Sequence, residues 1–204
     1  MELKRIIDML SKKRPLFHSE ADFKFALALE IQEFYSDVDI RLEYPVVTDS
    51  RECLDILVKY HGDVYPIELK YKTKKLSLVL NDESYHLKSH GAQDFGSYDF
   101  VKDICRLESF SKNICGYKNG FAIWLTNDSY YWNPPRKSNT GAAAFRVYNG
   151  SKKSGKLTWG NTMTNTRGRE QPLFLENEYE VSWLDYSRVA HYDAGTFKYV
   201  VISV

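Results

Sequence analysis

The triplet Glu68-Leu69-Lys70 lies inside the stretch PIELKYKTKK, residues 66–75. In a strand, Glu68 and Lys70 share one face about 6.5–7 Å apart. Ile67, Leu69 and Tyr71 then point to the other face, as a buried layer requires. Upstream, CLDILVKY (53–60) carries Asp55. If His61-Gly62 forms a two-residue turn, with the glycine supplying positive φ, Tyr60 faces Asp63 and, counting outward, Asp55 faces Glu68. That makes 55/68 a non-hydrogen-bonded pair with Cα atoms about 4.5 Å apart. Two opposed carboxylates repel each other. A divalent cation between them converts the repulsion into ligation, and oxygen donors without His or Cys favour Mg²⁺ or Mn²⁺. Lys70, on the same face, can contact an attacking water or a phosphate and stabilise developing negative charge. The competing reading is a surface ion pair between Glu68 and Lys70.

The elements that must position these residues are legible from periodicity. Leu3, Ile6, Ile7 and Leu10 predict a helix over 2–12. Ser19, with Asp22 three residues on, caps a second helix running to about Tyr35. Glu20 falls within its apolar stripe of Phe23, Leu27, Ile31 and Phe34. A charge there either ligates, pairs, or sits at a solvated helix start that favours an acid. RLEYPVV (41–47), CLDILVKY (53–60) and DVYPIELKY (63–71) read as strands. Pro66 is tolerable because it opposes Leu57 at a non-hydrogen-bonded site. Residues 72–97 are polar and read as a loop. Phe100, Ile104, Leu107 and Phe110 predict a helix over about 98–113, and GFAIWLTND (120–128) a strand. Strand-like pieces follow at 144–148, 156–159, 172–184 and 197–203.

The chain of 204 residues suits one domain, and no apolar run approaches the roughly 18 residues of a membrane span. Its start, MELKRIIDML, lacks the apolar core of a signal peptide. Cys53, Cys105 and Cys115 have no metal-type spacing and read as free thiols of a cytoplasmic protein. The net charge of +1 conceals an asymmetry. The 41 residues between Asp128 and Glu170 contain no acid and eight bases: Arg136, Lys137, Arg146, Lys152, Lys153, Lys156, Arg167 and Arg169. Tyr130, Tyr131, Trp132, Phe145, Tyr148 and Trp159 are interleaved with them. Such a mixture suits a phosphate backbone and its bases, or else a solvated lysine-rich hairpin region.

Glu20 on a leading helix, Leu54-Asp55 on a strand and Glu68-Leu69-Lys70 on the next resemble the PD-(D/E)XK nuclease superfamily. The resemblance covers residues 17–126, with 127–204 as a β-rich basic elaboration and closing strands of the same domain. It implies an α/β, restriction-endonuclease-like core in which a mixed central β-sheet is flanked by helices. It implies Mg²⁺-dependent phosphodiester cleavage, most simply by a DNA endonuclease, with Mn²⁺ a substitute. By motif, Asp55 and Glu68 are the metal ligands, helped by the Leu69 carbonyl. Lys70 is the catalytic lysine, and Glu20 is the helix acid, acting through water. Leu54 replaces the motif's proline, a mild departure. A ribonuclease with the same chemistry, or a non-catalytic nucleic-acid-binding module on the same fold, are the alternatives. A homodimer is a reasonable expectation for so small a nuclease, and no membrane partner is expected.

Further candidates for nucleic-acid contact are Lys72, Lys74 and Lys75, which otherwise form a solvated charge run, and Lys152, Lys153, Lys156, Arg167 and Arg169 of the basic window. Some relatives touch the scissile phosphate with a residue placed like Gln93, otherwise an ordinary loop residue. Arg106 points a cation at the site or pairs with Asp99 or Asp103 on the solvent face. His18 reads as a capping or packing residue, and His61, His86, His90 and His191 show no ligand spacing.

Overall fold

The computed structural model describes residues 1–45, 53–137, 139–163 and 165–204. Along the chain its elements are α1 (Leu3–Lys13), α2 (Glu20–Phe34), β1 (Asp39–Pro45), β2 (Cys53–Tyr60), β3 (Asp63–Lys72), β4 (Leu76–Leu80), β5 (Glu83–Leu87), α3 (Gln93–Asn113), β6 (Phe121–Thr126), α4 (Ser129–Trp132), β7 (Lys152–Leu157), β8 (Leu173–Glu180), β9 (Leu184–Arg188) and β10 (Thr196–Ser203). The architecture is α/β. A six-stranded mixed sheet has the order β1-β2-β3-β6-β10-β9. Within it β3 and β6 run parallel and the other neighbours antiparallel. Parallel neighbours need a crossover, and α3 is that crossover.

Each face of the sheet carries its own core. On one face Ile6, Ile7, Phe23, Leu27 and Ile31 of α1 and α2 pack on Ile56, Val58, Ile67, Leu69 and Tyr71. On the other, Phe100, Val101, Ile104 and Leu107 of α3 meet Leu57, Trp124 and Val200, under Phe145, Leu173 and Leu175. Strand β3 lies in the middle, buried along most of its length. Glu68 and Lys70 therefore stand in protein interior and not on a wet surface.

The β2–β3 hairpin has the expected register, with Tyr60 opposite Asp63 and Leu57 opposite Pro66. His61 and Gly62 both have positive φ, 52° and 87°, as a tight hairpin turn requires. Pairing of β3 with β6 starts at Ile67 opposite Phe121. The N–H that Pro66 lacks thus falls before that ladder begins. Ser19 caps α2, its hydroxyl accepting from the Asp22 N–H at 3.1 Å.

Four expectations need correction. Residues 72–97 are not all loop: β4 and β5 form a hairpin, Leu76 opposite Leu87, turning at Asn81-Asp82 with φ of 50° and 64°. Its strands are five residues long and bury mainly Leu76, Tyr85 and Leu87, so it left little apolar signal. Helix α3 starts at Gln93 and not near 98; its first turn follows a left-handed Ala92, φ 58°, and has no side-chain cap that would mark the start in the sequence. The strand expected at 144–148 is a 3-10 turn, Ala143–Phe145. The stretch 172–184 divides: β8 pairs with β7 in a separate two-stranded sheet, and β9 joins the main sheet. Val46 and Val47, expected in the first strand, lie outside the described residues. Cys53, Cys105 and Cys115 are free thiols, and no helix among the described residues is long and apolar enough to cross a membrane.

Candidate active site

The antiparallel ladder between β2 and β3 ends at Ile56 opposite Ile67. Beyond it the N–H groups of Leu69 and Tyr71, which face the β2 side by alternation, need other acceptors. Two carboxylates from different elements supply them. Oδ2 of Asp55 accepts from Leu69 N–H at 2.7 Å, and Oε2 of Glu20 accepts from Tyr71 N–H at 2.8 Å. A residue's C=O points to the same side of a strand as its N–H, so the Leu69 carbonyl faces this opening too. Three of the expected acids, Glu20, Asp55 and Glu68, thus converge on one segment of β3, although the recorded pairing stops one step short of 55/68.

Asp55, Glu68 and Lys70 each have an internal counter-charge. Asp55 Oδ1 lies 2.9 Å from Nζ of Lys24, a buried lysine on α2 that also pairs with Glu43. Lys70 Nζ lies 2.5 Å from Oδ2 of Asp103 on α3. Glu68 is 3% exposed, and its Oε1 lies 3.0 Å from the Arg106 guanidinium, which also donates to the Cys53 carbonyl at 2.9 Å. Arg106 thus points at the site. Asp103, 3.9 Å from it, is buried and not on the solvent face. Asp103 and Arg106 are three residues apart on α3 and therefore neighbours on its surface.

The electrostatics follow from burial. Desolvation, then the nearby Asp103 charge, push the Glu68 carboxyl far up, against the pull of Arg106. Asp103 is also raised, chiefly by burial, despite Lys70. For Lys70, burial favours the neutral amine and is the largest single influence, but the charge and hydrogen bond of Asp103, with the charges of Glu20 and Glu68, together outweigh it and the net shift is upward.

Whether these residues suit a divalent cation can be judged from the oxygens. Oε1 of Glu68 is buried with no hydrogen bond; its contact with Arg106 is close but lacks hydrogen-bond alignment. Buried acceptors left in this state are costly, and a hard cation satisfies such oxygens. The donors are all oxygen, as Mg²⁺ and Mn²⁺ prefer. Among the described residues no three His, Cys, Asp or Glu side chains are already gathered at metal-holding distance. The fit is therefore one of donor chemistry, with Lys24 and Arg106 occupying the cation role.

The other predicted contacts scatter. Lys74 pairs with Asp128 at 3.2 Å, and Gln93 Nε2 donates to the same carboxylate at 3.2 Å. Lys75 and Lys156 are exposed. Lys152 pairs with Glu178 at 2.8 Å. Lys153 is buried at 6% exposure, which removes it from a solvent-facing contact surface. Arg169 grips Asp99 through two hydrogen bonds of 2.6 and 2.7 Å. Arg167 is exposed. Much of the basic window thus serves the fold: Arg146 is buried over the Tyr130 ring at 3.7 Å, and Tyr131 and Phe145 lie in the core. His18 packs, as expected, stacking on Tyr85 and touching Glu83 at 2.7 Å.

Lys24 was missed, and Asp103 was expected only on the solvent face beside Arg106, although a signal for its burial existed. It lies on the same helix face as Phe100 and Leu107, where an unpaired acid is rare. Comparison with protein-family models, curated proteins and solved structures finds no match for this chain.

Proposed function

We propose that the chain is a metal-dependent nuclease that hydrolyses phosphodiester bonds, a DNA endonuclease on a restriction-endonuclease-like fold. The observation that carries this reading is the opening between β2 and β3. There Asp55 and Glu20 are hydrogen-bonded to the N–H groups on either side of Lys70, along the strand that also bears Glu68. Asp55, Glu68 and the Leu69 carbonyl would hold Mg²⁺ or Mn²⁺, with Glu20 reaching it through water. When bound, the cation supplies a polarised phosphate and an acidified water. Lys70, held by Asp103, presents a fixed positive charge to the phosphate as negative charge develops. Without a cation, Lys24 and Arg106 provide the positive charge beside Asp55 and Glu68.

The internal pairing favours a second reading. Each of Asp55, Glu68 and Lys70 already has a partner within the chain, as a non-catalytic nucleic-acid-binding module would allow. Cleavage of DNA by the purified chain in Mg²⁺ or Mn²⁺, and its loss in EDTA, separates the two. An RNA arm of the same assay separates a ribonuclease with identical chemistry. DNA left intact in every metal would overturn the first reading.

A further inference from the structure

The face of β3 that carries Glu68 and Lys70 continues outward to Lys72, each step about 6.5–7 Å. Lys72 lines two adjoining cavities of 350 Å³ and 420 Å³. The first lies between the start of α2, with His18 and Glu20, and strand β5 with the residue after it, His86 and Lys88. The second is walled by Gly91, Ala92 and Phe95 at the start of α3 and by Arg167 and Arg169. Lys72 and His90 belong to both cavities, so the two form one groove that begins beside Glu20. The acids along it are already engaged: Glu20 with the Tyr71 N–H and Asp99 with Arg169. Lys72, Lys88 and Arg167 make no ion pair among the described residues. The contacts of His18 with Tyr85 and Glu83 fix one wall against the other.

We propose that this groove carries one unpaired nucleic-acid strand to the Glu68–Lys70 site, an inference that rests on the nuclease reading above. Both cavities are at the small end of ligand pockets, about 300–1,000 Å³, and each is walled on more than one side. They accommodate single nucleotides in succession. A duplex, whose major groove alone is about 12 Å wide, instead needs a broad open face. Three cations without counter-charges among the described residues track phosphates, while the exposed His86 and His90 imidazoles offer surfaces for bases, the combination that holds unpaired strands without sequence preference.

Fluorescence anisotropy tests this, with labelled thymidine DNA, uridine RNA and a DNA duplex of equal length, in EDTA so that nothing is cut. The unpaired strands should bind at least ten-fold more tightly than the duplex, and the DNA and RNA arms identify the sugar. The triple variant Lys72→Ala/Lys88→Ala/Arg167→Ala should lose at least ten-fold in affinity, and its salt slope should flatten by about 2, at about 0.7 per phosphate contact. If the triple variant unfolds, the three single variants carry the same comparison, each flattening the slope by about 0.7. Equal or tighter duplex binding, or an unchanged affinity and slope in folded variants, overturns the groove. Because binding is read without metal, the two readings fail separately. A wild-type chain that binds through the groove but cuts nothing overturns the nuclease and leaves the groove standing.

Discussion

Oδ2 of Asp55 accepts the backbone N–H of Leu69 at 2.7 Å, across the point where β2 and β3 stop pairing. The carboxylate thus completes a strand edge and at the same time sits beside Glu68 and Lys70. Glu20 does the same for Tyr71. A structural duty and a proposed chemical one reside in the same oxygen atoms, and substitutions can separate them.

Asp55→Ala leaves the Leu69 N–H without an acceptor and deprives Lys24 of one partner. It should cost about 1–3 kcal/mol, the range for stranding a buried polar group. Asp55→Asn keeps an acceptor for the N–H and should cost less, yet it removes the charge a divalent cation needs. Urea unfolding and Mn²⁺ titration calorimetry together check this. An Asn variant that binds Mn²⁺ like the wild type contradicts the assignment.

Glu68 should make both stability and metal binding depend on pH. Its carboxyl is raised from 4.5 to about 9, mainly by burial. Between those values the folded state holds a proton that the unfolded state has released, so metal-free stability falls as pH rises through the window. Metal binding needs the ionised form. Mn²⁺ affinity should therefore climb toward pH 9, with proton release visible as a buffer-dependent calorimetric heat. Affinity that is flat from pH 6 to 9 would remove Glu68 from the ligand set.

Asp103 is expected to govern Lys70. Against desolvation, its charge and hydrogen bond are the largest of the influences that hold the buried lysine above its ordinary pKa. In Asp103→Asn that support is gone, so Lys70 loses its proton at lower pH. The alkaline limb of the cleavage profile should move toward neutral pH, with substrate affinity in EDTA unchanged. A profile that keeps its shape while activity merely drops would indicate a packing role.

Lys153 should be a stability liability at neutral pH. Burial, with a smaller contribution from Arg146, lowers its pKa from 10.5 to about 8. The penalty is present in full below pH 8 and is relieved as pH rises toward 10.5. Lys153→Met should therefore stabilise the chain by about 1–3 kcal/mol at pH 7, taking 1.36 kcal/mol per pKa unit as the ceiling. The gain should shrink by pH 10. Thermal unfolding at the two pH values decides it, and a loss of stability at pH 7 would contradict it.

The parts of this fold that announced themselves were those with a local physical cause. Ser19 and Asp22 marked the start of α2 because a hydroxyl cap and the backbone N–H it accepts from are neighbours in sequence. The β2–β3 register followed from one turn, His61-Gly62, since hairpin geometry propagates from its loop. What stayed hidden depended on distant partners. Leu76 and Tyr85 are strand residues because they reach the core under α2, which their own five-residue segments do not encode. Lys153 and Arg146 looked like solvated cations because burial by β8 and by the Tyr130 ring is a tertiary fact. Asp103 lay in plain view on an apolar helix face, but its partner, Lys70, is 33 positions away and on the neighbouring layer.

Cleavage of circular single-stranded DNA and of supercoiled plasmid by the purified chain, wild type beside Lys70→Ala, in Mg²⁺ or Mn²⁺ and in EDTA, tests the central claim most directly. The account predicts nicked or linear DNA only from the wild type with metal. It also predicts that the Lys70→Ala protein binds DNA normally but turns over at least 100-fold more slowly, the order expected for losing a charge that stabilises the transition state. Equal cleavage by both proteins, or cleavage that persists in EDTA, would contradict it.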